Sequence, residues 1–143
     1  MNGLEIFHMT KKLMNAYEHS CNDVCLKYQL NQNGFDIMMF LANNPQYNTA
    51  KDICEIRGMK SGIVSVMVEK LIQRGYLERK NDQKDRRITR LYLTEESKEA
   101  VLEGQKAQRK FCNLLSANIT EQEMKNFDFV MNKFRKNLEG MEQ

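Results

Sequence analysis

The chain has 143 residues, a formal net charge of +3, 41% hydrophobic and 29% charged residues, one proline, seven glycines and no tryptophan. A chain of this size buries about 68–70% of its unfolded surface, so a single domain can fold without staples, and the profile is that of a soluble, mostly helical protein. The longest apolar runs, such as residues 37–42, are too short for a bilayer. The N-terminus lacks a signal peptide's layout, and four cysteines are too sparse for a disulfide scaffold, so a reducing cytoplasm is expected.

Residues 4–30 read as a long first helix. Met14, Tyr17, Cys21, Val24 and Tyr28 recur at three and four residues, with Cys25 beside them. Asn31-Gln32-Asn33-Gly34 is expected to break it. Residues 35–42 then form a second, very apolar helix near the centre of the fold, closed by Asn43-Asn44-Pro45. Tyr47-Asn48 is a candidate extra strand. Thr49 with Asp52 three residues on has the form of a capping box opening a third helix through Ile56, and Gly58 makes a tight turn.

A longer helix follows over residues 61–74. Val64, Met67, Val68, Leu71 and Ile72 form one continuous apolar stripe, and Gly75 supplies the left-handed residue that ends such a helix. Its other side carries Ser61, Gly62, Ser65, Val66, Glu69, Lys70 and Gln73, small or polar side chains suited to lying against something large. Two helices joined by a tight turn make a helix-turn-helix, whose second helix enters the DNA major groove. Ser61 also reads as a simple helix N-cap, which leaves base contact open there.

Residues 76–80 and 87–93 read as two strands, with Thr89, Leu91 and Leu93 on one face and Ile88, Arg90 and Tyr92 on the other. Between them Asn81-Asp82-Gln83-Lys84-Asp85-Arg86-Arg87 is a tip of mixed charge, the wing of a winged helix. An arginine there suits the minor groove, and a carboxylate two residues away can hold its guanidinium in bidentate geometry. A turn-stabilising salt bridge is the plainer role for the same residues. Residues 51–92 hold eleven Lys/Arg against six Asp/Glu, whereas each flanking segment is −1. The positive excess therefore sits wholly in the winged helix, where phosphates would be met, although a solvated charged face has the same composition.

Thr94 is expected to cap a long helix opening with Glu95 and Glu96, with Ala100, Val101, Ala107, Phe111 and Leu115 inward and Gly104 between. Thr120 starts a last helix in which Met124, Phe127, Met131, Phe134 and Leu138 recur at three and four residues, with Val130 adjacent. A winged helix needs neither this stripe nor the one on residues 14–28. Both can be intramolecular core, but two surplus stripes at opposite ends favour a homodimer across a two-fold axis, which would set two recognition helices about 34–36 Å apart on a palindromic site.

The order of helices, the segment KSGIVSVMVEKLIQRGYLER and the tip Asp82-Gln83-Lys84-Asp85-Arg86-Arg87 ahead of Leu91-Tyr92-Leu93-Thr94 resemble the MarR family of bacterial transcription regulators. The resemblance spans about residues 5–138. It implies a mostly α fold with a small antiparallel β-hairpin: a winged helix-turn-helix over 47–93, flanked by dimerisation helices over 1–30 and 110–143, in one domain over 1–143. It also implies a homodimeric DNA-binding regulator, a repressor or activator on palindromic promoter DNA, released by a small-molecule effector or an oxidant. By family position Arg87 would be the minor-groove arginine, Asp85 its buttress and Arg86 a phosphate contact beside Lys84. Lys60, Ser61, Gly62, Ser65, Val66 and Glu69 would face the major groove, and Phe7, Met124, Phe127, Met131, Phe134 and Leu138 a second copy. Val66 and Ile63 depart from the polar, basic or hydroxyl residues common there, and an apolar valine suits a thymine methyl or contributes nothing to base readout.

Sensing has weaker signals. Tyr17, Cys21, Cys25 and Tyr28 are the candidate residues, because some relatives sense oxidants through a first-helix cysteine. Cysteine on an apolar stripe is more often a small buried hydrophobe. His8 and His19 do not complete a zinc spacing with these cysteines, so no metal or other cofactor is expected. Met38 and Met39 are candidates for an adaptable pocket or for core. No Gly-rich phosphate loop or nucleophile–base motif points to an enzyme. The other class to weigh is a winged helix that binds protein, whose basic wing is ordinary surface.

Overall fold

A computed structural model describes residues 2–142. The elements in order are helix α1 (Gly3–Lys27), α2 (Gln32–Asn43), α3 (Ala50–Asp52) continuing into a π-helical turn (Ile53–Arg57), α4 (Ser61–Gln73), strands β1 (Leu77–Asn81) and β2 (Thr89–Leu93), α5 (Lys98–Leu115) and α6 (Glu121–Met141). The chain divides into two compact units, Met1–Phe111 and Cys112–Gln143.

The first unit is built around α2. Phe35, Ile37, Met38, Met39, Phe40 and Leu41 are all buried, and the helix packs on α1, α4 and β2. Met38 and Met39 are therefore core, not pocket lining. From α1 the core takes Cys21 and Cys25, and from α4 Val64, Met67, Val68 and Leu71, while Tyr17, Val24 and Tyr28 are partly buried against it. Met14 stays exposed, so the packed part of the first stripe begins at Tyr17. At Gly104 of α5 an added Cβ would lie 2.7 Å from Met39 Sδ and 2.9 Å from Phe35 Cε2, so only glycine lets α5 approach α2 this closely.

Several boundaries differ from the sequence expectation. The break falls earlier: Gln29 takes φ 52° and the Leu30 amide donates to Cys25 O, which ends α1 at Lys27. The Asn31 side chain accepts from the Gly34 amide and so starts α2 at Gln32, placing Gly34 inside the helix. Arg74 closes this junction by donating to Gln29 O and Tyr28 O while stacking on the Tyr76 ring. The Thr49–Asp52 capping box is present. Thr94 does not cap a helix; its hydroxyl donates to Gly75 O, and a 3-10 turn (Glu95–Ser97) precedes α5. Leu115 is exposed, not inward.

Strands β1 and β2 pair antiparallel, with Leu77 opposite Leu93 and Asn81 opposite Thr89. Asn48 O accepts from the Leu91 amide at 2.7 Å, but this single bond does not make Tyr47-Asn48 a strand. The second unit is the end of α5, a turn and α6, which Thr120 opens with a capping box to Glu123. No residue described in α6 is buried. No helix among the described residues is long and apolar enough to cross a membrane.

Candidate nucleic-acid interface

Helix α4 follows α3 through Gly58, whose φ of 77° is open to glycine at little cost. Its inner side is held by the core stripe, so the opposite side is solvent-facing by construction. Ser61, Gly62, Ile63, Ser65, Val66, Glu69 and Lys70 are all exposed there. Lys60, extended at φ −67° and ψ 138°, occupies the N-cap position without a side-chain cap bond. Ser61 is thus the first helical residue and not the cap, which leaves its hydroxyl outside the helix's own bonding. The free amides and positive dipole end at this terminus favour a phosphate nearby. Glu69 accepts a 2.9 Å bond from Arg79 on β1, tying the outer edge of α4 to the wing.

The wing tip is organised by two carboxylates. Asp85 takes Arg87 in a fork: Nε donates to Oδ1 at 3.0 Å and Nη2 to Oδ2 at 2.9 Å, while the Arg87 amide also donates to Oδ1. The Arg87 side chain is nonetheless 90% exposed, so the pairing orients the guanidinium without hiding it. Asp82 accepts the amides of Lys84 and Asp85 with one oxygen and Arg90 Nε, at 2.6 Å, with the other. Arg90 in turn donates through Nη1 to Asn48 Oδ1 at 2.8 Å. Guanidinium contacts hold Asp82 (Arg90) and Asp85 (Arg87) below the ordinary carboxylate range, and hold both arginines above theirs. Lys84 and Arg86 are exposed on the same tip.

The MarR family model matches residues 28–88, from the end of α1 through the wing tip. That segment belongs to the MarR family. The chain also shares its fold with solved structures. A MarR transcriptional regulator from Methanosarcina mazei Go1 is 20% identical, with 94% of this chain and 96% of that one covered at a TM-score of 0.74. The S. aureus MepR–DNA complex is 16% identical, with 96% of each chain covered at 0.78. Bordetella bronchiseptica BpsR, solved for the regulation of its DNA binding by 6-hydroxynicotinic acid, is 16% identical, with 92% and 98% covered at 0.70. Among curated proteins none matches the chain in sequence.

Against this MarR framework the sensing candidates lie inside the first unit. Cys21 and Cys25 are buried, and burial pushes both thiols up, Cys25 to about 11 with the Cys21 thiol and the Asp36 carboxylate adding to it. That is the reverse of a reactive thiolate. Tyr17 Oη accepts from Gln108 Nε2 at 2.8 Å and its ring meets Phe111 edge-on, with burial raising its pKa. The buried Tyr28 hydroxyl has no hydrogen-bond partner among the described residues. An open groove of about 610 Å³ beside Cys25 is walled by His19, Asn22, Leu30 and Gln32. No metal-binding cluster occurs among the described residues.

The candidate interface residues are on open faces. In the first unit Phe7 is 77% exposed, beside exposed Leu4, Met9 and Leu13. In the second, Phe127, Met131, Phe134 and Leu138 are exposed along α6 with Phe129 and Val130, and Met124 is half-buried. Arg90, which bridges the Asp82 of the tip motif to Asn48, and Asn48 itself are the residues that sequence reasoning missed; the alternation of β2, which puts Arg90 on the face opposite Leu91, was the available signal. Arg79, the partner of Glu69, was missed as well.

Proposed function

We propose that this chain is a homodimeric, sequence-specific DNA-binding transcription regulator, acting as a repressor in the cytoplasm. In this reading α4 lies in the major groove, with Lys60, Ser61, Gly62, Ser65, Val66 and Glu69 toward the bases. Arg87 enters the minor groove while Lys84 and Arg86 meet phosphates. The observation that carries the reading is Arg87: a guanidinium that is nearly fully exposed, yet fixed in orientation by Asp85 on a basic tip. An ordered, unburied cation loses little freedom on meeting a polyanion, which is what a minor-groove probe requires.

A second copy supplies the partner for the open apolar faces of α1 and α6. Seven large apolar side chains exposed on α6 exceed what a lone helix keeps in water, and a two-fold pair would match a palindromic operator. A small-molecule effector is favoured over an oxidant for release, because the first-helix thiols are buried and their pKa values are raised. The BpsR structure, regulated by 6-hydroxynicotinic acid, is a precedent in the same fold.

The test is duplex binding measured across salt concentrations, with sedimentation of the free protein. A dimer whose affinity falls linearly in a log–log plot against salt is expected. A chain that stays monomeric, or that grips duplex equally at low and high salt, overturns the reading and leaves a protein-binding winged helix.

A further inference from the structure

The recognition helix is short of the side chains that read bases by paired hydrogen bonds. Guanine is read by Arg or Lys in bidentate geometry, adenine by Asn or Gln, and cytosine by a carboxylate. Between Ser61 and Glu69 the helix carries no Arg, Lys, Asn or Gln; the lysines flank that stretch, Lys60 at the N-cap before the first turn and Lys70 about 12 Å of helix beyond Gly62. Gln73 is on the same row but lies about 16 Å of helix beyond Gly62, at the end away from the terminus that probes base edges. Glu69, the one acceptor suited to cytosine, is engaged by Arg79 at 2.9 Å.

What the helix presents instead is a smooth apolar step. Gly62 and Val66 lie one turn apart on the outward row. Val66 is 55% exposed and takes no part in the core, which Val64, Met67, Val68 and Leu71 supply. A Cβ on Gly62 would meet nothing within 4 Å, so no neighbour in the fold demands a glycine there, although glycine weakens a helix. The use of such a bare position is close approach by something outside the chain. Residues 51–92 carry the chain's whole positive excess, which selects a polyanion over an apolar protein surface. The single apolar group on the floor of the major groove is the thymine C5-methyl.

Resting on the DNA-binding reading above, we propose that α4 identifies its site through thymine methyl groups packed on Val66 across the step left by Gly62. Ser61 and Ser65 add hydroxyls that accept any base pair, and the substrate is therefore duplex with thymines at fixed major-groove positions in each half-site. Hydrogen-bonded guanine readout from residues 61–69 is not part of it.

The experiment starts from the duplex the wild-type dimer enriches from a random library. Deoxyuridine then replaces deoxythymidine one position at a time, which removes only the methyl. The expected result is a loss of about fourfold in affinity at one or two positions per half-site, from a buried methyl-sized group, and no such loss for Val66→Ser at those positions. Val66 is exposed, so the variant folds. Uridine that costs nothing anywhere, or that costs the same in wild type and Val66→Ser, overturns the proposal while leaving DNA binding intact. Failure to bind any duplex in a salt-dependent way overturns the DNA-binding reading itself and this proposal with it.

Discussion

The wing tip and the recognition helix sit on the same 42-residue stretch and solve opposite problems. On the tip, both carboxylates are committed, Asp85 to Arg87 and Asp82 to Arg90 and two backbone amides, while Lys84 and Arg86 stay exposed. On α4, the outward row is almost bare, and its one carboxylate is drawn aside by Arg79. The comparison teaches that order on a contact surface can come from restraint of charged groups or from having nothing to restrain. A loop of seven residues without a core must be held by ion pairs, whereas a helix locked from behind by Val64, Met67, Val68 and Leu71 can leave its front smooth.

The strongest way to break the contrast is Arg87→Ala. It removes the exposed, oriented cation, and affinity for every duplex is expected to fall by about tenfold or more, with the log–log salt slope reduced by about 1. An unchanged slope would mean that Arg87 meets no phosphate field. Next in size is Arg90→Met, which frees the tip from Asn48 without removing an outward cation. About fivefold weaker binding is expected from the lost preorganisation, with the salt slope little changed and hydrogen exchange across residues 82–88 accelerated; Arg90→Lys should restore part of the loss.

The smallest effect sharpens the comparison through pH. Asp82 and Asp85 have lowered values in the folded chain, so the order they confer is fully present above the ordinary carboxylate range. It is lost as pH falls through the lowered folded values. Wing amides should therefore lose protection in acid before those of α4 do, and Asp85→Asn should abolish the part of that titration owed to Arg87, with about a threefold affinity loss at neutral pH. Hydrogen exchange followed by NMR reads both segments in one sample, and equal acid sensitivity of wing and α4 would contradict the assignment.

Much of this was legible in the sequence because it is local. The α4 stripe, the Thr49–Asp52 box, Gly75 as terminator and the Asp85–Arg87 spacing each lie within one or two turns, where periodicity and capping rules operate. The errors came from competition between equally local signals. Asn31-Gln32-Asn33-Gly34 has turn composition, yet the Asn31 side chain satisfies the Gly34 amide and the helix starts there. The Thr94 hydroxyl found Gly75 O nineteen residues back and so was lost to the helix it precedes. The Asn48–Arg90–Asp82 chain spans 42 residues and depends on strand register, which composition does not encode. The closeness of α5 to α2 at Gly104 is likewise visible only once both helices are placed.

The π-helical turn over Ile53–Arg57 carries one further consequence. Its wider coil brings Arg57 within 3.1 Å of Asp36 on α2 before the chain reverses at Gly58. An α-helical path would need one residue fewer to advance the same distance, and each residue turns a helix by about 100°. The spacer between Thr49 and Ser61 is thus counted to the residue. A single-residue deletion there would pull Arg57 away from Asp36 or Gly58 out of the left-handed corner, so the damage would fall on the joint between α3 and α4.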